Sequence, residues 1–250
     1  MKKFVSQTLI AGLIFGLASA ATPALAKKVV AEPPAPPERP VEGGAFDPLE
    51  PLNRVIFGLN DVLDMIVIRP VVEIWKGVMP QPIQTAVSNV FGNLDDVFGG
   101  TSQALQGNGR HAATDFGRVL VNTTVGIGGL FDVASGMGLQ KVRGDFGQTL
   151  GVWGLPAGPY IVLPLIGPST LRETAGRTGR YYSDPRTYME PDVGYGLDAL
   201  EYVQARADGQ YAESLVDVSS FDKYVFVRNL YLQRRAAMIR EGLDADKAQP

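Results

Sequence analysis

From Leu52 to Ile66 the apolar positions recur at steps of three and four: Leu52, Val55, Ile56, Leu59, Val62, Leu63 and Ile66. That spacing predicts a helix with one apolar face. Arg69-Pro70 is expected to break it, because an internal proline lacks an N–H and crowds the preceding turn. A second helical run resumes over 71–78 with Trp75, and Pro80 and Pro82 end this unit. Pro82 suits the first turn of a further helix, whose apolar positions are Ile83, Val87, Val90, Phe91, Leu94 and Phe98. Residues 105–109 close it. A third helix is expected near His111, through Phe116, Val119, Leu120 and Thr123, into an uncharged stretch over 119–131. Later, Thr170-Leu171-Arg172-Glu173 has the arrangement of a capping box, and Ser183-Asp184-Pro185 ends the helix it opens. Residues 197–215 read as another amphipathic helix. Ser219 and Asp222 are expected to cap a last one, from Phe221 to Glu241.

One stretch resists this pattern. Phe146 to Leu171 runs 26 residues without a charge, yet holds Gly147, Gly151, Gly154, Gly158 and Gly167 with Pro156, Pro159, Pro164 and Pro168. Its length would suffice to cross a bilayer, but prolines at that density exclude one straight helix. Tyr160 to Leu163 is strand-like but confined by Pro159 and Pro164. The expected fold class is therefore all-α: amphipathic helices joined by Gly/Pro-rich loops.

The ends read differently. Lys2 and Lys3, an apolar run to Leu17 and Ala24-Leu25-Ala26 fit a secretory signal peptide over 1–26. Residues 27–45 form a spacer stiffened by five prolines between Pro33 and Pro40. The helical domain is expected over 46–242 and a polar tail over 243–250. An export signal places the chain in the cell envelope.

Composition then removes most chemistries. The 250 residues carry a formal charge of −3, no cysteine and one histidine. Nucleic-acid binding, thiolate metal sites and Cys nucleophiles have no support. No G-x-S-x-G elbow occurs, and His111 at a helix start reads as a surface or cap residue. Asp95-Asp96 reads as a solvated turn, since adjacent side chains on a helix diverge. Gly126-x-Gly128-Gly129 follows a helical pattern rather than a strand and does not suit phosphate cradling. The sequence argues against an enzyme and implies no cofactor. What remains is hydrophobic display by two uncharged, glycine-rich stretches in an exported helical protein. Irregular backbone of that kind is tolerated at membrane depth where it packs on protein or lines a wet cavity.

The motifs also carry a resemblance. Asp47-Pro48-Leu49-Glu50-Pro51-Leu52-Asn53-Arg54, Arg69-Pro70-Val71, Pro80-Gln81-Pro82, Ser88-Asn89-Val90-Phe91-Gly92-Asn93-Leu94, Asp145-Phe146-Gly147-Gln148-Thr149-Leu150-Gly151 and Tyr224-x3-Arg228-x2-Tyr231-x-Gln233-Arg234 resemble the MlaA (VacJ) family, in order, over about residues 46 to 240. The resemblance implies a ring-like helical body in the periplasmic leaflet of the outer membrane. A central amphipathic channel would pass mislocalised phospholipid from the outer leaflet to a periplasmic carrier of the MlaC type and so maintain lipid asymmetry. It further implies association with a trimeric porin. Candidate channel residues are Gly126, Gly128, Gly129, Gly151, Gly154 and Gly158, with Asn122, Thr123 and Thr124 as polar lumen groups. Familiar members end their signal peptide in a lipidated cysteine, which this chain lacks. The alternative is a soluble periplasmic lipid-binding or scaffold protein.

Overall fold

The computed structural model describes residues 47–209 and 222–247. The expected signal peptide, the spacer, Ser219 and the end of the tail lie outside them. The architecture is all-α with a single two-stranded hairpin among the described residues.

Helix α1 (Glu50–Leu63) and α2 (Arg69–Val78) are not separated by a break at Pro70. A π-helical segment, Asp64–Ile68, joins them without leaving the helical path. The Arg69 N–H reaches back five residues to the Asp64 carbonyl, and Asp64 and Arg69 pair across the bulge at 2.8 Å. The wider turn admits the proline ring and its missing donor, so the helix bulges where it was expected to end.

Helices α3 (Gln81–Leu105) and α4 (Gly109–Thr124) form the most extensive helix pair. Pro82 occupies the first turn of α3, as the sequence predicts. Gly99 and Gly100 let α4 approach: a Cβ on Gly100 would stand 3.0 Å from the Phe116 ring. A short turn of helix, α5 (Val133–Gly136), is capped by Asp132.

The uncharged stretch after Asp145 resolves into helix α6 (Phe146–Val152), a loop, and strands β1 (Tyr160–Leu163) and β2 (Gly167–Thr170). The strands pair antiparallel, Tyr160 opposite Thr170 and Leu163 opposite Gly167. Thr170 then caps α7 (Leu171–Ser183) by accepting from the Glu173 N–H, half of the predicted capping box. A 3-10 turn (Pro185–Tyr188) leads to α8 (Pro191–Ala207), which begins earlier than the pattern suggested because Pro191 opens it. The last helix, α9 (Lys223–Lys247), starts beneath Asp222, whose carboxylate accepts from the Val225 N–H, and runs on into the stretch read as a tail.

Two asparagines one heptad apart on α1 close the free edge of β1. Asn53 donates to the Tyr160 carbonyl at 3.0 Å and accepts from the Val162 N–H at 2.9 Å. Asn60 donates to the Leu163 carbonyl at 3.0 Å and accepts from the Leu165 N–H at 2.8 Å. The helix thus supplies, through side-chain amides, the hydrogen bonds that a third strand would make. Behind this clamp, Tyr160 packs edge-on against Tyr224 and Tyr231 of α9, with Phe57 against Tyr224. Tyr224 and Arg228 both bind Asp47, which also accepts from Asn53.

Asn53→Ala orphans buried donors and acceptors on Tyr160, Val162 and Asp47, each worth about 1–3 kcal/mol. Its thermal midpoint is expected to fall well below that of Asn60→Ala, whose partners stay nearer solvent. Equal midpoints for the two variants would contradict the clamp.

Candidate lipid-handling surface

Apolar and polar side chains have exchanged their usual places. Among the described residues the buried polar side chains outnumber the buried apolar ones more than twofold. In α1 the only buried residue is Asn53, while Leu52, Val55, Leu59 and Val62 are exposed. The exposure continues through Met65, Ile66 and Val67 of the π segment into Val71, Ile74 and Val78 of α2. Burying one such side chain is worth about 1.5–3 kcal/mol, so water is a poor solvent for this face. A contiguous apolar surface of this kind marks a partner or a membrane. It also deepens into a groove of about 320 Å³ between α2 and α8, lined by Val71, Ile74, Trp75, Val78, Met79, Ala199, Leu200 and Val203. No helix among the described residues is long and apolar enough to cross a membrane.

The interior is ionic. Asp96 and Arg118 are almost fully buried and pair at 2.8 Å between α3 and α4. Arg118 also contacts Asp132 at 3.3 Å, the Ser135 hydroxyl at 2.9 Å and the Leu139 carbonyl at 2.6 Å. Lys141 approaches Asp96 at 3.0 Å. The Asp95-Asp96 pair is therefore no solvated turn. It sits within α3, and the divergence of adjacent side chains sends Asp95 outward to Arg180 at 2.6 Å and Asp96 inward. Burial alone would raise Asp132, but hydrogen bonds from Ser135 and Asn122 and the Arg118 charge hold it below the usual carboxylate range. Asp115 goes the other way. Burial, reinforced by the Asp96 charge, pushes it up to about 6, against the Val142 N–H bond, Lys141 and Arg118.

The candidate channel residues fall into two groups. Asn122 is buried, donating to Asp132 at 3.1 Å and accepting from the Ala134 N–H at 2.9 Å, so it braces the loop after α4. Thr123 accepts from Asn93 at 3.0 Å and Thr124 returns its hydroxyl to the Leu120 carbonyl at 2.7 Å; both are exposed. Gly126 is a packing glycine, since a Cβ there would lie 2.3 Å from the Phe131 carbonyl. Gly128 and Gly129 have positive φ, and Gly129 rests on Asn93. Between them and Gly126, exposed Ile127 is held at φ 53. A β-branched residue there stores about 1–3 kcal/mol of strain, of the kind found at functional sites. The second group lies elsewhere. Gly151 packs against Ile239 of α9 and Arg172, Gly154 is exposed at φ 89, and Gly158 at φ 70 faces Leu171. Trp153 beside Gly154 donates to the Leu105 carbonyl at 3.0 Å. Both groups touch α3, at Asn93 and at Leu105, positions separated by about 18 Å of helix.

A sequence profile described as "MlaA lipoprotein" matches residues 45–238. The chain belongs to the MlaA family. It is 36% identical over 196 residues to the intermembrane phospholipid transport system lipoprotein MlaA of Escherichia coli, covering 76% of this chain and 77% of that protein. The protein of the same name from Haemophilus influenzae is 31% identical over 210 residues, covering 78% and 80%. Among solved structures, one reported as the structural basis for maintenance of bacterial outer membrane lipid asymmetry superposes with a TM-score of 0.68 at 32% identity, covering 77% of this chain and 98% of that one. The helical order from α1 to α9 is thus the MlaA fold. Its ionic interior is the part that single-sequence reading misses. The signal available was Arg118 and Asn122 at i and i+4, one helix face aimed at one acceptor, Asp132.

Because Asp115 is raised in the folded state above about 3.9 unfolded, its ionisation opposes folding above pH 6. That penalty vanishes as the pH falls through 6 toward 4, before the depressed Asp132 and Asp145 begin to be protonated. Asp115→Asn keeps an acceptor for the Val142 N–H. It is expected to be more stable than the parent by about 1–3 kcal/mol at neutral pH, with the gap narrowing below pH 6 and closing toward about pH 4. Thermal melts across this range test it; a gap independent of pH would refute the assignment.

Proposed function

We propose that the protein is the outer-membrane component of an intermembrane phospholipid transport system. It passes phospholipid that has strayed into the outer leaflet to a periplasmic carrier and so maintains lipid asymmetry. The observation that carries this reading is the inversion of polarity: an apolar outer face on α1 and α2 over an ion-paired interior. The reading is supported by the relatives named for phospholipid transport.

The physical task is to bring a charged head group past about 30 Å of hydrocarbon. A ring with an apolar rim and a partly polar lumen lowers that barrier with no covalent step, so neither catalysis nor a cofactor enters. The 126–129 and 151–158 segments are the proposed pore-shaping elements. They present exposed positive-φ glycines, which let the backbone turn tightly beside a passing lipid. A carrier of the MlaC type would receive the lipid, and a trimeric porin would help to seat the ring. The sequence has no cysteine to accept a lipid anchor, so the apolar face, with the porin, is proposed to hold the protein at the periplasmic side of the outer membrane. That same absence favours one second reading, a soluble periplasmic lipid-binding protein. Recovery of the mature protein in the detergent-free soluble fraction would select it.

Reconstituted with labelled phospholipid and the carrier, the protein is expected to be required for lipid to reach the carrier. Label arriving at equal rate without it would refute the transport role. A Cβ at Gly128 or Gly154 meets open space, at a backbone cost of about 1–2 kcal/mol. Gly128→Trp and Gly154→Trp should therefore fold and reach normal levels while transferring lipid several-fold more slowly. Gly126→Trp, with no room for its Cβ, should fail to accumulate. Parental transfer by the folded Gly128 and Gly154 variants would remove these segments from the pore.

A further inference from the structure

One charged cluster takes no part in the packing described so far. Arg235 of α9 binds Asp145, which caps α6, through two hydrogen bonds of 2.6 and 2.9 Å, and it also binds Glu173 of α7. Arg172 takes the other oxygen of Glu173 at 2.9 Å. This knot ties three elements together and uses both carboxylates. It also fixes what stands around it. Arg143 lies two residues before Asp145, Arg234 immediately precedes Arg235, and Arg177 follows Glu173 by one turn on the same face of α7.

Arg143, Arg177 and Arg234 are exposed, and none has a carboxylate partner among the described residues. Five guanidinium groups thus gather around two carboxylates, a surplus of three positive charges. The three free arginines act on the same place. Arg177 lowers Asp145 and Tyr231 through space, and Arg143 and Arg234 repel each other. Arg234, although exposed, is still partly desolvated, and that desolvation first, then the Arg143 and Arg235 charges, depresses its guanidinium. A fold that brings unpaired like charges together from three elements, and holds them with a buried ion pair, is built to receive an anion. The guanidinium fork matches the oxygens of a phosphate in two-point hydrogen bonds.

We propose that Arg143, Arg177 and Arg234 form a binding site for the phosphodiester of a phospholipid head group. The site rests on the phospholipid-transport reading and names the part of the substrate that the protein grips. Phosphate rather than a particular head-group alcohol is the recognised element, so phosphatidylglycerol and phosphatidylethanolamine both bind, and diacylglycerol, which lacks the phosphate, gains nothing from the cluster. Neighbouring Gly151 brings the glycine-rich segment to the same place, since a Cβ there would stand 3.1 Å from the Arg172 guanidinium.

The test uses the full mature chain in detergent, titrated with mixed micelles of labelled phosphatidylglycerol or of diacylglycerol with the same acyl chains. In the R143Q/R177Q/R234Q variant, affinity for phosphatidylglycerol should drop by roughly tenfold or more, since charge-assisted bonds are lost. Affinity for diacylglycerol and the thermal midpoint should not move, and R143K/R177K/R234K should recover part of the loss. Unchanged phosphatidylglycerol binding in a folded Gln variant would overturn the site. So would tighter binding of inorganic phosphate than of phosphatidylglycerol at constant ionic strength, which would mark a free-phosphate site. In a separate pull-down with the carrier, loss of capture by the Gln variant while its lipid binding stays intact would overturn it in favour of an acidic protein face. Because binding is read without the carrier, failure of the parent to pass lipid onward would refute the transport reading while leaving this measurement standing.

Discussion

Taking Asp96 and Arg118 out of water sets the terms for the rest of the molecule. Each buried charge costs several kcal/mol to desolvate, and the pair is tolerable only with close geometry and further hydrogen bonds. Those bonds come from Asp132, Ser135 and the Leu139 carbonyl, all in the segment that follows α4. The ion pair therefore fixes more than the register of α3 on α4. It pulls the 132–139 segment back over the helix pair, and Asn122, one turn beyond Arg118, completes the return by holding Asp132 and the Ala134 N–H. The glycine-rich turn of 126–129 is the chain that must fit between these fixed points, which is why Gly126 has no room for a side chain and Ile127 is forced to positive φ.

The same device recurs around the fold. Asp47 gathers Asn53, Tyr224 and Arg228; Arg186 gathers Asp184, Asp198 and Glu201; Arg235 gathers Asp145 and Glu173. In water such pairs would be weak grounds for stability, because apolar packing does the same work at lower cost. For a protein whose outer face meets hydrocarbon, as proposed for α1 and α2, that comparison would change. Lipid tails are as apolar as leucine, so no hydrophobic gradient drives α1 and α2 inward. Directional bonds and close glycine contacts are then what can hold helices together. At Gly147 and Gly176 the contact is so close that a Cβ on Gly176 would lie 2.3 Å from the Gly147 nitrogen.

The sequence carried the helices well, because their signals are local. Three-four spacing, Pro82 in a first turn and the Thr170 cap each act within a few residues, and all three appear where expected. Features resting on distant partners were not legible. Asp96 looks like half of an exposed acidic pair until Arg118, 22 residues away, is placed beside it. Pro70 looks like a helix end until the Arg69 N–H is seen to reach Asp64. The apolar face of α1 was legible as a face, but spacing cannot say whether it points into a core or out of it. Only the burial of Asn53 on the opposite side decides that. The proposed channel glycines lie in two stretches, and the fold sets one against the middle of α3 at Asn93 and the other against its C-terminal end at Leu105, because glycine spacing carries no information about which segments meet.

That division has a consequence for how a lipid would be handled. The 126–129 turn is braced by the buried Asp132 network, whereas the 151–158 segment is held by Arg172, which donates to the Leu155 carbonyl at 3.0 Å and whose N–H reaches the Ala157 carbonyl at 3.1 Å. Arg172 also shares Glu173 with Arg235, at the centre of the arginine cluster. An anion drawn to Arg143, Arg177 and Arg234 would stand beside Arg235 and Arg172, and could compete there with Asp145 and Glu173 for guanidinium bonds. Any loosening there would pass through Arg172 to the backbone at Leu155 and Ala157. Two different glycine-rich segments thus stand on two different footings, one on an ion pair sealed from solvent and one on an ion pair beside exposed charge. Of the two, the 151–158 segment is the one whose support a charged head group could reach.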